Sequence, residues 1–116
     1  MPSELKKALD ELYETDGIEA CILYRVDGTA IALRSPDRRT LMGIMRWMEN
    51  EVKYVMGHIE REELEDIIFT FRGHKVAFHP SSESTILATI INPEAHQQLT
   101  SLEITRAATK IKAAIM

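Results

Sequence analysis

Apolar residues recur at helical spacing near the start of the chain. Leu5, Leu9 and Leu12 would share one helix face, Ser3 before them suits a helix cap, and Gly17 after them suits a stop. The pattern therefore predicts a first helix of about three turns.

The next segment predicts a hairpin. IEACILYRV, residues 18–26, places its side chains alternately on two sides, as a strand does. Asp27-Gly28 is a preferred pair for a tight turn, so residues 29–33 are expected to return antiparallel to the first strand. Cys21 lies inside the apolar run and is interpreted as a small buried hydrophobic residue.

A second hairpin and a central strand are predicted further along. An acidic segment, EREELED, leads into IIFTFRGHKVAFHP, with strands over 67–72 and 75–79 and a turn at Gly73 and His74. The following TILATII, residues 85–91, is apolar on both faces. That is expected of a strand covered on both sides.

A final helix completes the predicted order. Asn92-Pro93 is expected to cap it, and it runs toward Met116. The order is helix, strand, strand, helix, strand, strand, strand, helix, with no long linker. We therefore expect one domain over residues 1–116, built on a mostly antiparallel five-stranded sheet with helices on its faces.

The second predicted helix lies between the hairpins. It contains LMGIMRWMENEVKYVMGHIE, residues 41–60, with four of the six methionines and the only tryptophan. Residues 35–37 are expected to open it, and it should end near Gly57. At 100° per residue, a broad core stripe lies within about 60° of the first leucine. That stripe is formed by Leu41, Ile44, Met45, Met48, Val52, Val55 and Met56.

Two aromatic residues of this helix lie away from the core stripe. Trp47 and Tyr54 project near about 240° and 220° on the same wheel, on the side that also carries Gly43 and Asn50. They could be ordinary surface residues. We instead predict a contact surface, because tryptophan and tyrosine are enriched at interface hot spots and glycine lets another backbone approach.

Composition and charge limit the class of protein. The 116 residues are 45% hydrophobic and 28% charged, as in an ordinary globular protein, and the net charge is −4. No cluster of lysine and arginine indicates binding to nucleic acid. Cys21, the single cysteine, excludes an internal disulfide. Without a signal peptide or a run of about 18 apolar residues, we expect a cytoplasmic protein that does not insert into membranes.

The sequence carries no recognisable catalytic chemistry. The five glycines form no phosphate-binding loop, and the serines of SSES have no nucleophile context. His58, His74, His79 and His96 have no metal-ligand spacing and are interpreted as turn or surface residues. We therefore predict no enzyme, no metal and no cofactor.

Taken together, these segments resemble the roadblock/dynein light chain family, including its bacterial and archaeal GTPase-regulator members. The likeness covers nearly the whole chain. It rests on IEACILYRVDGTAIAL, the methionine-rich helix, the IIFTFRGHKVAFHP hairpin, the STILATII strand and the closing helix. Longin and profilin-like sensor domains have related architectures.

The resemblance implies a sheet with one helix on one face and two helices on the other. The second helix would cover one face, and the first and last helices the other. It also implies a homodimer, in which the second helices pack together and the third strands, residues 64–72, pair into a ten-stranded sheet. The implied interface consists of Gly43, Trp47, Asn50, Tyr54, Ile67, Ile68, Phe69, Thr70 and Phe71.

The resemblance further implies a non-enzymatic regulatory or scaffold protein that binds a small Ras-like GTPase. A flank of the second helix offers a partner-binding patch, formed by Met42, Arg46, Glu49 and Lys53. Two alternatives stay open, a profilin-like sensor that binds a small molecule between sheet and helix, and a motor or membrane-tethering scaffold without a GTPase.

Overall fold

The described part of the chain contains two helices whose full extent is described, one five-stranded sheet, and isolated helical residues between β2 and β3. The computed structural model describes residues 3–25, 27, 29–37, 39, 43, 46, 53, 54, 57, 67–71 and 73–115. In chain order its elements are the N-terminal helix (Ser3–Tyr13), β1 (Ile18–Arg25), β2 (Ala30–Arg34), β3 (Ile67–Phe71), β4 (His74–Pro80), β5 (Thr85–Ile91) and the C-terminal helix (Gln97–Ile115).

The sheet is antiparallel, with strand order β2-β1-β5-β4-β3. The last strand in sequence lies at the centre, where Thr89 is opposite both Cys21 of β1 and Ala77 of β4. Every residue of β5 is buried. This confirms the prediction of a central strand from an apolar pattern on both faces.

Both described helices lie on one face of the sheet. The N-terminal helix contacts β1 and β2, the C-terminal helix contacts β4 and β5, and the two helices contact each other. The predicted stripes form the core of this layer, so the placement of the first and last helices together is confirmed. Its largest fully buried members are Leu9, Leu12, Leu23, Leu87 and Ile111.

The opposite face of the sheet has its own apolar core. Phe78 and Ile22 are fully buried there, and the ring of Phe69 meets that of Phe78 edge to face at 5.8 Å between centroids. The second predicted helix was expected to cover this face, but most of it lies outside the described residues. Those described within it are all helical: Arg39, Gly43, Arg46, Lys53, Tyr54 and Gly57.

Both predicted hairpins are present, with small differences at the turns. In the first, the Thr29 N–H donates to Asp27 Oδ1 at 2.9 Å, and the return strand begins at Ala30. Gly28 lies outside the described residues. In the second, Gly73 has φ +90°, while His74 belongs to β4, opposite Phe71, instead of to the turn.

The C-terminal helix begins four residues later than Asn92-Pro93 predicts. The side chain of Asn92 accepts the Glu94 N–H at 2.8 Å, so it closes a turn instead of capping the helix. His96 supplies the cap, because its Nδ1 accepts the Leu99 N–H at 3.2 Å. The predicted cap is therefore wrong, since a local turn competes for the same side chain.

Gly17, in the turn after the N-terminal helix, closely approaches Ala95, in the turn before the C-terminal helix. Its φ is +91°, and its carbonyl accepts the Asn92 N–H at 2.8 Å. A Cβ at this position would lie 2.3 Å from Ala95 Cβ. Only glycine fits both the backbone conformation and the contact.

Candidate interaction surfaces

Strand β3 is the edge strand on which the resemblance places a dimer contact. Its described pairing is with β4 alone. Ile68 is 46% exposed and Thr70 is exposed, whereas Ile67 and Phe69 are half-buried against the core of the other face. An apolar edge strand of this kind is a template for pairing with another chain.

The structure describes half of each predicted set on the second helix. Of the aromatic face, Gly43 is exposed and Tyr54 is 59% exposed. Trp47 and Asn50 lie outside the described residues. Arg46 and Lys53 of the partner-binding patch are helical and exposed, and its other two members also lie outside the described residues.

A groove that sequence analysis did not predict runs between the C-terminal helix and strands β3 and β4. One end is a cavity of about 300 Å³, lined by residues that include Ile68, Lys75, Ala77, His79, Ser101 and Ile104. The other end is a cavity of about 610 Å³, lined by residues that include His79, Glu83, Ala108, Lys112 and Ile115. His79 lines both cavities. We call this surface the helix–sheet groove.

The two lysines that line the groove, Lys75 of β4 and Lys112 of the C-terminal helix, differ in their ion pairing from Arg106 and Lys110 of the same helix. Lys110 is paired with Glu11, whose carboxyl pKa is lowered chiefly by that hydrogen bond, and Arg106 lies 3.0 Å from Glu103. Within the part of the chain that the structure describes, Lys75 and Lys112 form no ion pair. Their positive charge is therefore available to a partner.

The buried titratable residues are structural. Cys21 is fully buried, its thiol donates to the Leu9 carbonyl at 3.6 Å, and burial raises its pKa to about 12. Burial also raises the pKa of Tyr24 to about 12. Both groups are neutral at physiological pH, as expected of buried side chains with a structural role.

The residues described above contain no group of three histidine, cysteine, aspartate or glutamate side chains that could hold a metal ion. None of the helices they form is long and apolar enough to span a membrane.

The architecture defines a protein of the roadblock fold. A Roadblock/LC7 domain from Streptomyces avermitilis is 13% identical, with 95% of this chain and 96% of that chain covered and a TM-score of 0.75. MglB from Myxococcus xanthus is 12% identical, with 97% of this chain and 95% of that chain covered and a TM-score of 0.80. MglC from the same organism is 13% identical, with 95% of this chain and 98% of that chain covered and a TM-score of 0.72.

The sequence itself matches one family. The model of the AF0774-like protein family matches residues 2–105, and the chain belongs to that family. No curated protein matches the sequence significantly. At 12–13% identity, the likeness to the solved structures establishes the fold alone.

Proposed function

We propose that this protein is a non-enzymatic scaffold, a single domain over residues 1–116 that forms a homodimer and binds a small Ras-like GTPase. The observation that carries the proposal is an apolar edge strand, β3, in a roadblock fold. Ile68 on that strand is 46% exposed, and a second copy would cover it.

The proposed dimer joins two β3 strands and two methionine-rich helices. Pairing of edge strands satisfies the backbone groups that an open edge leaves to water, and a twofold contact buries the same surface on both copies. One solved MglB has a tetrameric arrangement, so assembly of copies occurs within this fold. Light scattering should report about twice the chain mass of 13.2 kDa.

Trp47 is expected to stabilise the dimer more than the fold. Loss of a hot-spot tryptophan typically costs at least about 2 kcal/mol of binding, or roughly thirtyfold in affinity. Trp47→Ala should weaken the dimer while the circular dichroism spectrum is kept. Leu102→Ala is the control, since Leu102 is 52% exposed on the C-terminal helix, away from the proposed interface. Equal dimer affinity in both variants would place the interface elsewhere.

The GTPase is proposed from the roadblock resemblance, and the patch from the second helix. Arg46 and Lys53 are exposed, and with Met42 and Glu49 they would combine charge with one apolar anchor. Such a contact suits reversible binding, in which charge sets the association rate. Any effect on hydrolysis would arise from ordering of the partner's switch loops.

The patch is tested by titration of Ras-like GTPases from the host, in GDP and GTP-analogue forms. Wild type should bind in one nucleotide state, and Met42→Asp with Arg46→Glu should bind weakly. Lys6→Glu on the exposed side of the N-terminal helix is the control. If no GTPase binds in either state, the partner is wrong. If the double variant binds as well as wild type, only the patch is wrong.

A further inference from the structure

The smaller cavity of the helix–sheet groove lies between a row of side chains on β4 and a row on the C-terminal helix. Lys75, Ala77 and His79 alternate along β4, so they share the face of the sheet that bears the helices. Three polar residues four positions apart share one face of the C-terminal helix: Gln97, Ser101 and Thr105. Folding therefore brings two polar rows together that are about twenty residues apart in the sequence.

The size of this cavity suits a compact small molecule. Its volume is about 300 Å³, which is the lower end of the range for ligand sites and equals about ten water molecules at about 30 Å³ each. Three buried apolar residues also line it and would contact the carbon skeleton of a ligand: Ala77, Ile91 and Ile104. Ile68 and Thr70 of β3 border the cavity as well and belong to the proposed dimer contact.

Five polar side chains on β4 and the C-terminal helix have hydrogen-bonding groups left for a ligand. Within the part of the chain that the structure describes, they line the cavity and form no side-chain hydrogen bond or ion pair: Lys75, His79, Gln97, Ser101 and Thr105. Asn92 differs, because its side chain accepts the Glu94 N–H and donates to Glu19. The hydroxyl of Thr100 donates to the His96 carbonyl at 3.2 Å. Asn92 and Thr100 are thus fixed walls.

The charge of the lining selects the class of ligand. Among the described lining residues, Lys75 is the sole lysine or arginine, and none carries a carboxylate. A single ammonium balances one negative charge. It therefore fits a carboxylate better than a phosphate monoester, which carries about −1.5 to −2 at pH 7. A ligand with its own ammonium group would be repelled by Lys75 and would find no carboxylate to pair with.

We propose that this cavity binds a small hydroxy acid, a monocarboxylate that carries several hydroxyl groups. Lys75 binds the carboxylate, and the hydroxyl groups of the ligand exchange hydrogen bonds with the amide and hydroxyl side chains of the helix row. A few convergent polar groups in a concave site are what fixes the orientation of a small ligand. The five residues belong neither to β3 nor to the second helix, so this site is separate from the proposed dimer interface and GTPase patch.

The first test titrates three hydroxy acids of increasing length, glycerate, threonate and gluconate, into the full chain. Two-dimensional amide NMR should show saturable shifts at lining residues for at least one of them, with a dissociation constant in the millimolar range or tighter. The uncharged counterparts glycerol, threitol and sorbitol have the same carbon chains and should bind at least about tenfold more weakly, since they lack the group that pairs with Lys75. Glycerol phosphate and aminopropanediol test the two other charge classes, and both should bind more weakly than the best acid.

Two pairs of matched variants test the position of the ligand. Lys75→Gln should weaken binding of the best acid at least about tenfold, whereas Lys112→Gln removes the same charge from the larger cavity and should stay within about twofold. Ser101→Phe should block the cavity, whereas Gln98→Phe adds the same side chain at an exposed position outside both cavities. Circular dichroism of each variant verifies that the fold is kept.

The proposal is overturned if none of the three acids shows saturable binding, or if the uncharged counterparts bind equally well. Tighter binding of glycerol phosphate or of aminopropanediol would show that the class of ligand is wrong. Equal losses in Lys75→Gln and Lys112→Gln, or in Ser101→Phe and Gln98→Phe, would show that the acid binds elsewhere. The mass from light scattering should be the same in all variants, because none of them changes the proposed dimer interface.

Discussion

Replacement of Gly17 by alanine is expected to destabilise the protein through two separable effects. The first is backbone strain, because an alanine at φ +91° adopts a conformation that costs about 1–2 kcal/mol for residues with a Cβ. The second is a steric clash, because the new Cβ would lie 2.3 Å from Ala95 Cβ. Gly73 provides the comparison, since its φ is +90° and, among the described residues, no atom outside Gly73 and its two chain neighbours lies within 4 Å of the place that a Cβ would occupy.

The two glycines therefore separate strain from clash. Gly73→Ala should cost only the strain, about 1–2 kcal/mol. Gly17→Ala should cost about 1–3 kcal/mol more, the range for overpacking a well-filled site. At about 4 °C per kcal/mol for a chain of this size, the two variants should differ in Tm by roughly 4–12 °C.

Urea unfolding followed by circular dichroism measures both free energies of unfolding. All proteins are compared at one concentration, since the stability of a dimer depends on it. Adding Ala95→Gly should recover most of the difference in the Gly17→Ala background and none in the Gly73→Ala background. Equal destabilisation by the two alanines, or no recovery with Ala95→Gly, would refute the reasoning from close contact.

Three further predictions concern the buried residues. Cys21 should not react with iodoacetamide at pH 8 in the folded protein and should react fully in denaturant, since its thiol is buried and its pKa is raised to about 12. The free energy of unfolding should fall as pH rises from 9.0, the ordinary pKa of the thiol, toward about 12, because the folded state retains a proton on Cys21 that the unfolded state releases. In urea titrations, Cys21→Ala should remove the part of this fall that begins near pH 9.0. Leu87→Ala should cost about 2–5 kcal/mol of unfolding free energy and Leu102→Ala less than about 0.5 kcal/mol, because only the first side chain is fully buried.

Most elements of the fold could be predicted from the sequence, because periodic apolar residues and turn residues act locally. The buried stripe of the N-terminal helix and the central position of β5 both followed from such patterns. The start of the C-terminal helix did not. Asn92 and His96 are both able to accept a backbone N–H, and only the folded loop decides which one caps the helix.

The candidate surfaces were less predictable than the fold. The edge position of β3 came from family resemblance, since strand order depends on contacts far apart in sequence. The helix–sheet groove was missed because Lys75 and Lys112 have no shared motif and meet one surface only after folding. One signal was present, since Lys75 and His79 flank Ala77 on one side of β4, which indicates a face that is not fully covered. The interface and patch residues on the second helix stay predictions.

The central position of β5 also determines when the sheet can form. Ile18 of β1 lies opposite Ile91 of β5, so the pairing that joins the two hairpins links distant parts of the chain. Such high contact order slows folding to about milliseconds to seconds. During synthesis, β1 and β2 would leave the ribosome long before their main partner, with one edge of β1 unpaired. In a chain that stops short of β5, the strands would form only two separate hairpins, which are marginal alone and prone to aggregate. The five-stranded sheet therefore cannot form until the last strand has been made.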